Sequence, residues 1–460
     1  MDHCDRQIHI REHVLFNRTV IGAQFSQLSH EWKVSLDNLS TLSAKYLVSA
    51  IGVTSQRPTL MDKDLKLLNG EVYFPSNWPH REISPEGKDI AIIGTGSTAV
   101  QIVQDWGPRA KSLVVYQRCY NTALPIPVVP FDEIEGQDSI EKQEKAIAFR
   151  MKTPSGLAIW EPQKISTFDV SEEEREKKLN QLFDRGLSFW VSGYNDLTTN
   201  KAANRVAYDF WARKTRAKIH DRRKRDALAP LEPTYLFGIK RPGLDNGYFE
   251  QFNRPNVDVV NLRDTPIASF VHDGIVTTEG KFRHHDMVIP AIGFKNVIEN
   301  MKSLGIKGLD GVSLGEGWAD GVRTYLGLML YGFPNFFVLC GPQAPSEQSN
   351  LPTCIDVQVN WIAKMIDRIE KDGLVGIHPS PEAMQTWNRK VYAAFKSDFY
   401  GKVSCRYALL GNPIYYSGGI PNYLREISQG DSTWANFEVI RDESIKTLSN
   451  AEEKRSRGES

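Results

Sequence analysis

The residues best able to do chemistry are a run of small ones behind an apolar strand, with a cation at the end of the strand that follows. Ile90-Ala91-Ile92-Ile93 leads directly into Gly94-Thr95-Gly96-Ser97-Thr98-Ala99. In this G-x-G-x-x-A pattern Gly94 permits a tight turn, and Gly96 lets the backbone approach a pyrophosphate. Small Ala99 lets the next helix lie close to the strand, so that its amino terminus faces the phosphates. A glycine turn without a ligand would have the same letters. The apolar strand before it and the amphipathic run after it favour a dinucleotide loop, with Gly94, Thr95, Gly96, Ser97 and Thr98 as cofactor-binding residues. Sites that prefer NAD place an acid about 20 residues further on, against the ribose 2′-hydroxyl. Here that strand ends Val115-Tyr116-Gln117-Arg118. Gln117 and Arg118 are therefore expected at the adenosine ribose. The guanidinium suits a 2′-phosphate, so NADP(H) is favoured over NAD(H).

The elements that must position this loop are legible in outline. Residues 13–60 read as short strands: HVLFNRTVIGAQF, EWKVSLDN and AKYLVSAIG are apolar-rich runs separated by polar turns. DIAIIGTGSTAVQIVQDW followed by SLVVYQR reads as strand, turn, helix and strand, a β-α-β unit of the doubly wound kind. From about 134 to 224 the chain is rich in Glu, Lys, Arg and Gln with aromatics at helical spacing, which predicts a helical insertion. Strand-like runs return from Val257 (VDVVNL, GIVTTEG, DMVIPAIGF), and a helix-rich stretch follows them. Val357, Trp361, Ile362, Met365 and Ile369 mark one face of a helix. Gly311 to Gly317 reads as a loop, and the charged tail after Asn450 as disordered.

Composition excludes several classes of function. The 460 residues contain 56 Lys+Arg and 56 Asp+Glu, so no bulk charge favours nucleic acid or an anionic membrane. The run Arg222-Arg223-Lys224-Arg225 reads as a solvated helix end. The five cysteines are scattered and contain no C-x-x-C pair, which argues against a zinc site or disulfide framework and fits reduced thiols in the cytoplasm. His284-His285 show no third ligand at metal spacing, so no metal is expected. The longest apolar stretch, Leu326 to Cys340, is broken by Gly332-Phe333-Pro334-Asn335 and reads as buried strand plus turn, too short to span a bilayer.

Together these motifs resemble the Baeyer–Villiger family of flavin-dependent monooxygenases. GTGSTAVQ with VVYQR is similar to the family's second dinucleotide loop. The family signature F-x-G-x-x-x-H-x-x-x-W-P is matched by Leu68-Asn69-Gly70, Phe74 and Trp78-Pro79, with Leu68 for the aromatic and Phe74 for the histidine. Lys240-Arg241-Pro242 is similar to the active-site segment. Ala50-Ile51-Gly52 and Ala291-Ile292-Gly293 resemble the two Ala-Thr-Gly strand ends, each with isoleucine for threonine. The segments from Trp318 to Phe337 and from Gly341 to Pro352 also look like the family. Ser404-Cys405-Arg406-Tyr407 stands where the family usually has a tryptophan.

The resemblance implies an α/β fold of two Rossmann-like dinucleotide-binding domains with a helical insertion. The implied boundaries are 1–80 for part of an FAD-binding domain, 81–255 for the NADPH-binding domain, 256–440 for the return to the FAD domain, and 441–460 for the tail. It implies FAD and NADPH as cofactors, a small ketone as substrate, Arg241 as the catalytic cation and Lys240 as a second contact to the 2′-phosphate. No G-x-G-x-x-G precedes Val14, so the FAD domain is expected to be truncated at its amino terminus. That expectation keeps a second reading open: a non-redox relative, either an NADP-binding pseudoenzyme or a cofactor-free cyclase or isomerase. One substitution tests the nucleotide assignment. Arg118→Ala is expected to weaken NADPH far more than NADH in a fluorescence titration; equal losses would remove Arg118 from the 2′-phosphate.

Overall fold

The computed structural model describes residues 2–54, 56–59, 62–127, 140–157, 164–346, 349–397, 408–409, 412–430 and 434–441. The chain opens with an antiparallel meander, β1 (Val20–Ser26), β2 (Glu31–Leu36) and β3 (Thr41–Ala44). Alternation in β2 buries Trp32, Val34 and Leu36 on one face, as a half-covered strand requires. The Trp32 indole N–H donates to the Pro334 carbonyl at 2.8 Å, so this buried polar group is satisfied. β4 (Leu47–Ser49) follows the meander and pairs far along the chain with a strand described below.

The sheet that carries the glycine loop has five parallel strands. β5 (Glu71–Val72), β6 (Asp89–Ile93), β7 (Ser112–Gln117), β10 (Val257–Asn261) and β14 (Met287–Pro290) lie in the order β10-β7-β6-β14-β5. β6, β7 and β14 are buried along nearly their whole length, which is why they read as continuous apolar runs. The helix Ser97–Trp106 turns Ala99, Val100, Val103 and Trp106 onto the sheet. Between β7 and β10 the short strands β8 (Leu124–Pro125) and β9 (Leu244–Asp245) pair in parallel. Between β10 and β14 runs a small antiparallel sheet, β11 (Ile267–Val271), β12 (Gly274–Thr277) and β13 (Phe282–His284).

This topology corrects the implied domain boundaries. Val257 pairs with Leu113, and Met287 pairs with both Ile90 and Glu71. Residues 71–72 and 257–290 therefore belong to the glycine-loop sheet, and the chain leaves it at Ala291 rather than at 256. Apolar alternation identifies a strand but not the sheet it joins. The crossing points are held together, since Lys295 N–H donates to the Gln56 carbonyl at 2.9 Å.

The rest of the chain builds a second layer. β15 (Ile306–Lys307) adds to β1, and β16 (Phe336–Val338) pairs in parallel with β4. The helices Leu351–Lys371, Pro381–Ser397 and Ile420–Gly430 cover it, and Val357, Trp361, Ile362, Met365 and Ile369 are all buried as their spacing predicts. Gly311 to Gly317 is not wholly loop. Ser313 and Glu316 form a capping box that starts the one-turn helix Leu314–Gly317. The tail after Arg441 and Ser404-Cys405-Arg406-Tyr407 lie outside the described residues.

The insertion is helical: Ile140–Arg150, Glu172–Asp184, Ser188–Val191, Lys201–Arg216 and Arg222–Leu228. It is not a separate subdomain, because Phe183, Phe189, Phe210 and Trp211 share one core with Ile90, Ile92 and Val103. Its first part reaches the other layer instead. Arg150 pairs with Asp356, Asn350 N–H donates to Ser155 O at 2.6 Å, and Ile420 N–H donates to Pro154 O at 2.9 Å. The basic run is solvated only in part: the Arg222 side chain is 88% exposed, while Arg223 and Lys224 also serve the fold. Arg223 pairs with Asp258, and Lys224 Nζ donates to the Phe252 and Val257 carbonyls at 2.9 and 2.6 Å, pinning its helix to β10.

One buried group gives the sheet a pH dependence. His285, which precedes β14, is 2% exposed and hydrogen-bonded through Nε2 to the Tyr116 hydroxyl at 2.8 Å. Burial lowers its pKa from 6.5 to about 4. The unfolded chain therefore binds the extra proton first, and the stabilisation present above pH 6.5 is lost as the pH falls toward 4. His285→Gln, followed by urea unfolding across this interval, is expected to remove up to about 3 kcal/mol of acid-dependent loss. An unchanged slope would show that His285 is not the group.

Candidate functional site: a dinucleotide pocket at the carboxyl ends of the sheet

The carboxyl ends of β6, β7 and β14 open into a pocket of about 670 Å³. Gly94, Thr95, Gly96, Ser97 and Thr98 line one side, Arg118, Cys119 and Lys240 another, and Ala291, Ile292 and Gly293 the floor. This is the place where open α/β sheets bind ligands.

Gly94 is required by its surroundings. Its φ is +113°, and a Cβ there would meet the Ala291 carbonyl oxygen at 2.5 Å. Gly96 has the opposite character: a Cβ would meet nothing within 4 Å, because the space before it is the pocket. Gly96 is also the residue that starts the helix Ser97–Trp106, and no side chain caps that terminus. The first-turn N–H groups are thus available to an anion, with the helix dipole contributing about 0.3–1 kcal/mol. An open cradle, uncapped donors and nearby cations fit a dinucleotide pyrophosphate.

The loop is tied to the segment that carries Lys240 and Arg241. The Asn121 amide donates to the Thr95 carbonyl at 2.7 Å and accepts from Gly243 N–H at 2.9 Å. The Thr95 hydroxyl donates to the Cys119 carbonyl. The Lys240 ammonium lies 4.6 Å from the Tyr235 ring centroid, and Tyr235 stacks on Tyr120 at 4.7 Å. That contact is worth about 0.5–1 kcal/mol at an exposed site, and it aims the lysine. Neither Asn121 nor Tyr235 stood out in the sequence. Asn121 lies three residues past Arg118, and only the parallel β8–β9 pairing brings Gly243 to it.

The structure separates the remaining site residues. Gln117 does not line the pocket; it is 2% exposed, and its amide donates to the Ala227 carbonyl at 2.6 Å. Alternation along β7 explains this, since successive side chains point to opposite faces. Arg241 is exposed, outside the pocket lining, and has no ion pair among the described residues. Asp245 is a structural residue. It accepts from Tyr248 N–H at 2.7 Å at the start of a helical turn and pairs with Lys218 at 2.6 Å. Phe74, where the signature has histidine, carries the Arg57 guanidinium at 4.3 Å from its ring centroid.

Tertiary folding also gathers a group that sequence spacing hides. Asp89, His284 and Asp286 converge at the opposite, amino-terminal end of the sheet. Their atoms are already engaged: Asp286 accepts from Asp89 N–H at 2.8 Å and meets His284 at 3.1 Å, and Asp89 takes Ser112 and Lys111 at 2.6 and 2.7 Å. This is a hydrogen-bonded ion network at the end of the sheet away from the pocket.

The fold and pocket define a dinucleotide-binding protein of the doubly wound α/β kind. No family model matches the chain. The FAD-binding monooxygenase acrE of Aspergillus aculeatus is 36% identical over 447 residues, covering 96% of this chain and 75% of that protein. A Baeyer-Villiger monooxygenase of Pseudooceanicola batsensis is 31% identical over 443 residues, covering 93% of this chain and 78% of that protein. The crystal structure of OTEMO in complex with FAD and NADP superposes with a TM-score of 0.90 at 29% identity, covering 95% of this chain and 83% of the other. The chain belongs to the Baeyer–Villiger family of FAD-binding monooxygenases. Among the described residues, no helix is long and apolar enough to cross a membrane.

The two glycines make a paired test. Gly94→Ala is expected to destabilise the fold by more than about 2 kcal/mol in urea unfolding, because backbone must move. Gly96→Ala is expected to leave stability within about 0.5 kcal/mol yet weaken NADPH binding by about tenfold or more. Normal NADPH affinity in Gly96→Ala would place the pyrophosphate elsewhere.

Proposed function

We propose that this chain is an FAD- and NADPH-dependent monooxygenase that inserts one oxygen atom between a ketone carbonyl carbon and its neighbour, giving an ester or lactone. The overall change is ketone, O₂, NADPH and a proton to ester, NADP⁺ and water. The observation that carries the reading is the pocket itself: a glycine loop and uncapped helix terminus for a pyrophosphate, with Arg118 and Lys240 at its rim. The kinship of the chain supplies the rest.

The nicotinamide nucleotide is the group that the described residues fit. The pyrophosphate would lie on Gly96 and the first turn of Ser97–Trp106, and the 2′-phosphate against Arg118 and Lys240. On the flavin side, the parallel pair β4 and β16 with Ala50-Ile51-Gly52 would belong to the FAD-binding layer, and no second phosphate loop stands among the described residues. FAD, when bound, supplies the electron transfer and oxygen activation that no side chain can. The protein positions the reactants, excludes water and stabilises developing charge.

Arg241 is our candidate for the last of these tasks. It follows pocket-lining Lys240 directly, and without an acid partner among the described residues its charge is available to an anionic oxygen. A cytoplasmic location agrees with the unpaired state of Cys4, Cys119, Cys340 and Cys354. The substrate class rests on relatives whose names specify cyclic ketones, cyclopentanone and cyclohexanone among them.

The experiment is turnover of the purified chain with added FAD, NADPH and a panel of ketones, following NADPH oxidation, oxygen uptake and ester formation. Ester formation coupled to NADPH supports the reading. NADPH binding without oxidation in the presence of FAD would instead favour a non-redox relative. Arg241→Ala is expected to cut ester formation by about a hundredfold or more while NADPH affinity changes little. Retained oxygenation would exclude Arg241 from catalysis.

A further inference from the structure

Cys119 is surrounded by cations. It follows Arg118, and the Arg263 guanidinium meets its sulfur at 3.6 Å while also donating to the Arg118 carbonyl at 3.1 Å. Lys240 contacts the same sulfur. Burial would push the thiol up, but these two cations outweigh it, and its pKa lies below the ordinary value. Arg118, Lys240 and Arg263 have no carboxylate partner among the described residues, although most other cations near the sheet do: Lys88 holds Glu71, Lys111 holds Asp89, and Arg223 holds Asp258. Arg118, Cys119 and Lys240 line the pocket, and Arg263 lies outside the lining, against the Cys119 sulfur; in a chain with equal numbers of acidic and basic residues, three cations gathered about one pocket-lining thiol call for an external anion of more than one charge.

The fold explains how Arg263 arrives there. β10 runs parallel beside β7, and the pairing continues past both strands, since Leu262 N–H donates to the Gln117 carbonyl at 2.7 Å. Residue 263 is therefore delivered next to residue 118, and Leu262 lines the pocket. The acid beside it is otherwise engaged, because Asp264 accepts from the Asn261 amide at 2.7 Å.

We propose that Arg263 is a third cation of the 2′-phosphate site, acting with Arg118 and Lys240 to select NADPH over NADH. The proposal rests on the NADPH reading above and adds a determinant from a different strand. Arg118 reaches the phosphate from the end of β7, Lys240 from the loop before β9, and Arg263 from the end of β10. A guanidinium held through Nε by a backbone carbonyl is pre-oriented, so little freedom is lost when it meets a phosphate.

The test uses two probes that differ only in the 2′-phosphate: adenosine 2′,5′-bisphosphate and adenosine 5′-monophosphate, titrated calorimetrically into the full chain. The native protein is expected to prefer the bisphosphate. Arg263→Ala should weaken the bisphosphate by about five- to tenfold and the monophosphate by less than about twofold. Arg263→Lys, which keeps the charge, should recover part of the loss. Arg118→Ala serves as the reference for the underlying reading. If Arg118→Ala loses the preference and Arg263→Ala keeps it, the third cation is refuted and the NADPH reading stands. If the native protein shows no preference for the bisphosphate, the NADPH reading fails and the proposal with it. Equal weakening of both probes in Arg263→Ala would mean a structural role and would also overturn the proposal.

Discussion

The approach of Gly94 to the carbonyl of Ala291 is the contact on which the rest of the site depends. Only a residue without a side chain can occupy that position, because a Cβ would lie 2.5 Å from the oxygen. The contact joins the end of β6 to the point where the chain leaves β14. One residue thus sets the turn into the nucleotide-facing helix, the floor of the pocket, and the place where the two layers of the molecule meet. Gly94 N–H donates in turn to the Tyr116 carbonyl at 3.0 Å, so the same residue registers β7 and its Arg118 against the loop.

Around that point the structure divides its labour between rigid and exposed parts. The strands beneath are buried and carry internal polar pairs, the Tyr116–His285 hydrogen bond among them, with the Asp89–His284–Asp286 network at the far end. The cations without an acid partner among the described residues include Arg118 and Lys240 of the pocket lining and their neighbours Arg241 and Arg263, and the helix amide groups at the same pocket are uncapped. Unpaired charge costs little where water reaches it, and it becomes useful when a phosphate displaces that water. The basic run 222–225 shows the opposite use of charge. Its Arg223 and Lys224 are consumed by backbone carbonyls and an acid, which fasten the insertion to β10.

The insertion has a second consequence. Its later helices share a core with the nucleotide sheet, while residues 150–157 bond to the helices Leu351–Lys371 and Ile420–Gly430 of the other layer. It therefore bridges the two layers. The cation–π contact of Arg57 with Phe74 lies between the connecting segment at 56 and the strand region at 71. The family signature places a histidine at that position, and this chain has an aromatic–cation contact instead.

Local sequence determined much of this. The apolar strand, G-x-G-x-x-A turn and amphipathic helix are encoded by neighbouring residues, because turn geometry, helix period and strand burial are short-range constraints. The cation at the end of β7 follows for the same reason. The order of the motifs along the chain also carried the family resemblance. What sequence spacing left open was every relation between distant segments. Strands 257–261 and 287–290 look the same whichever sheet they enter, and hydrogen-bond register with β7 and β6 decided it. Gln117 matched the ribose position by spacing but turned inward, because pleating alternates its face with that of Arg118. Asn121, Tyr235 and Arg263 carried no local signal; the β6–β7 pairing brings Asn121 to the loop, Tyr235 arrives by stacking on Tyr120, and pairing of β7 with β10, more than a hundred residues away, brings Arg263. Short-range sterics are written in adjacent residues, whereas the positions of polar groups around a pocket depend on long-range pairing that only the folded chain specifies.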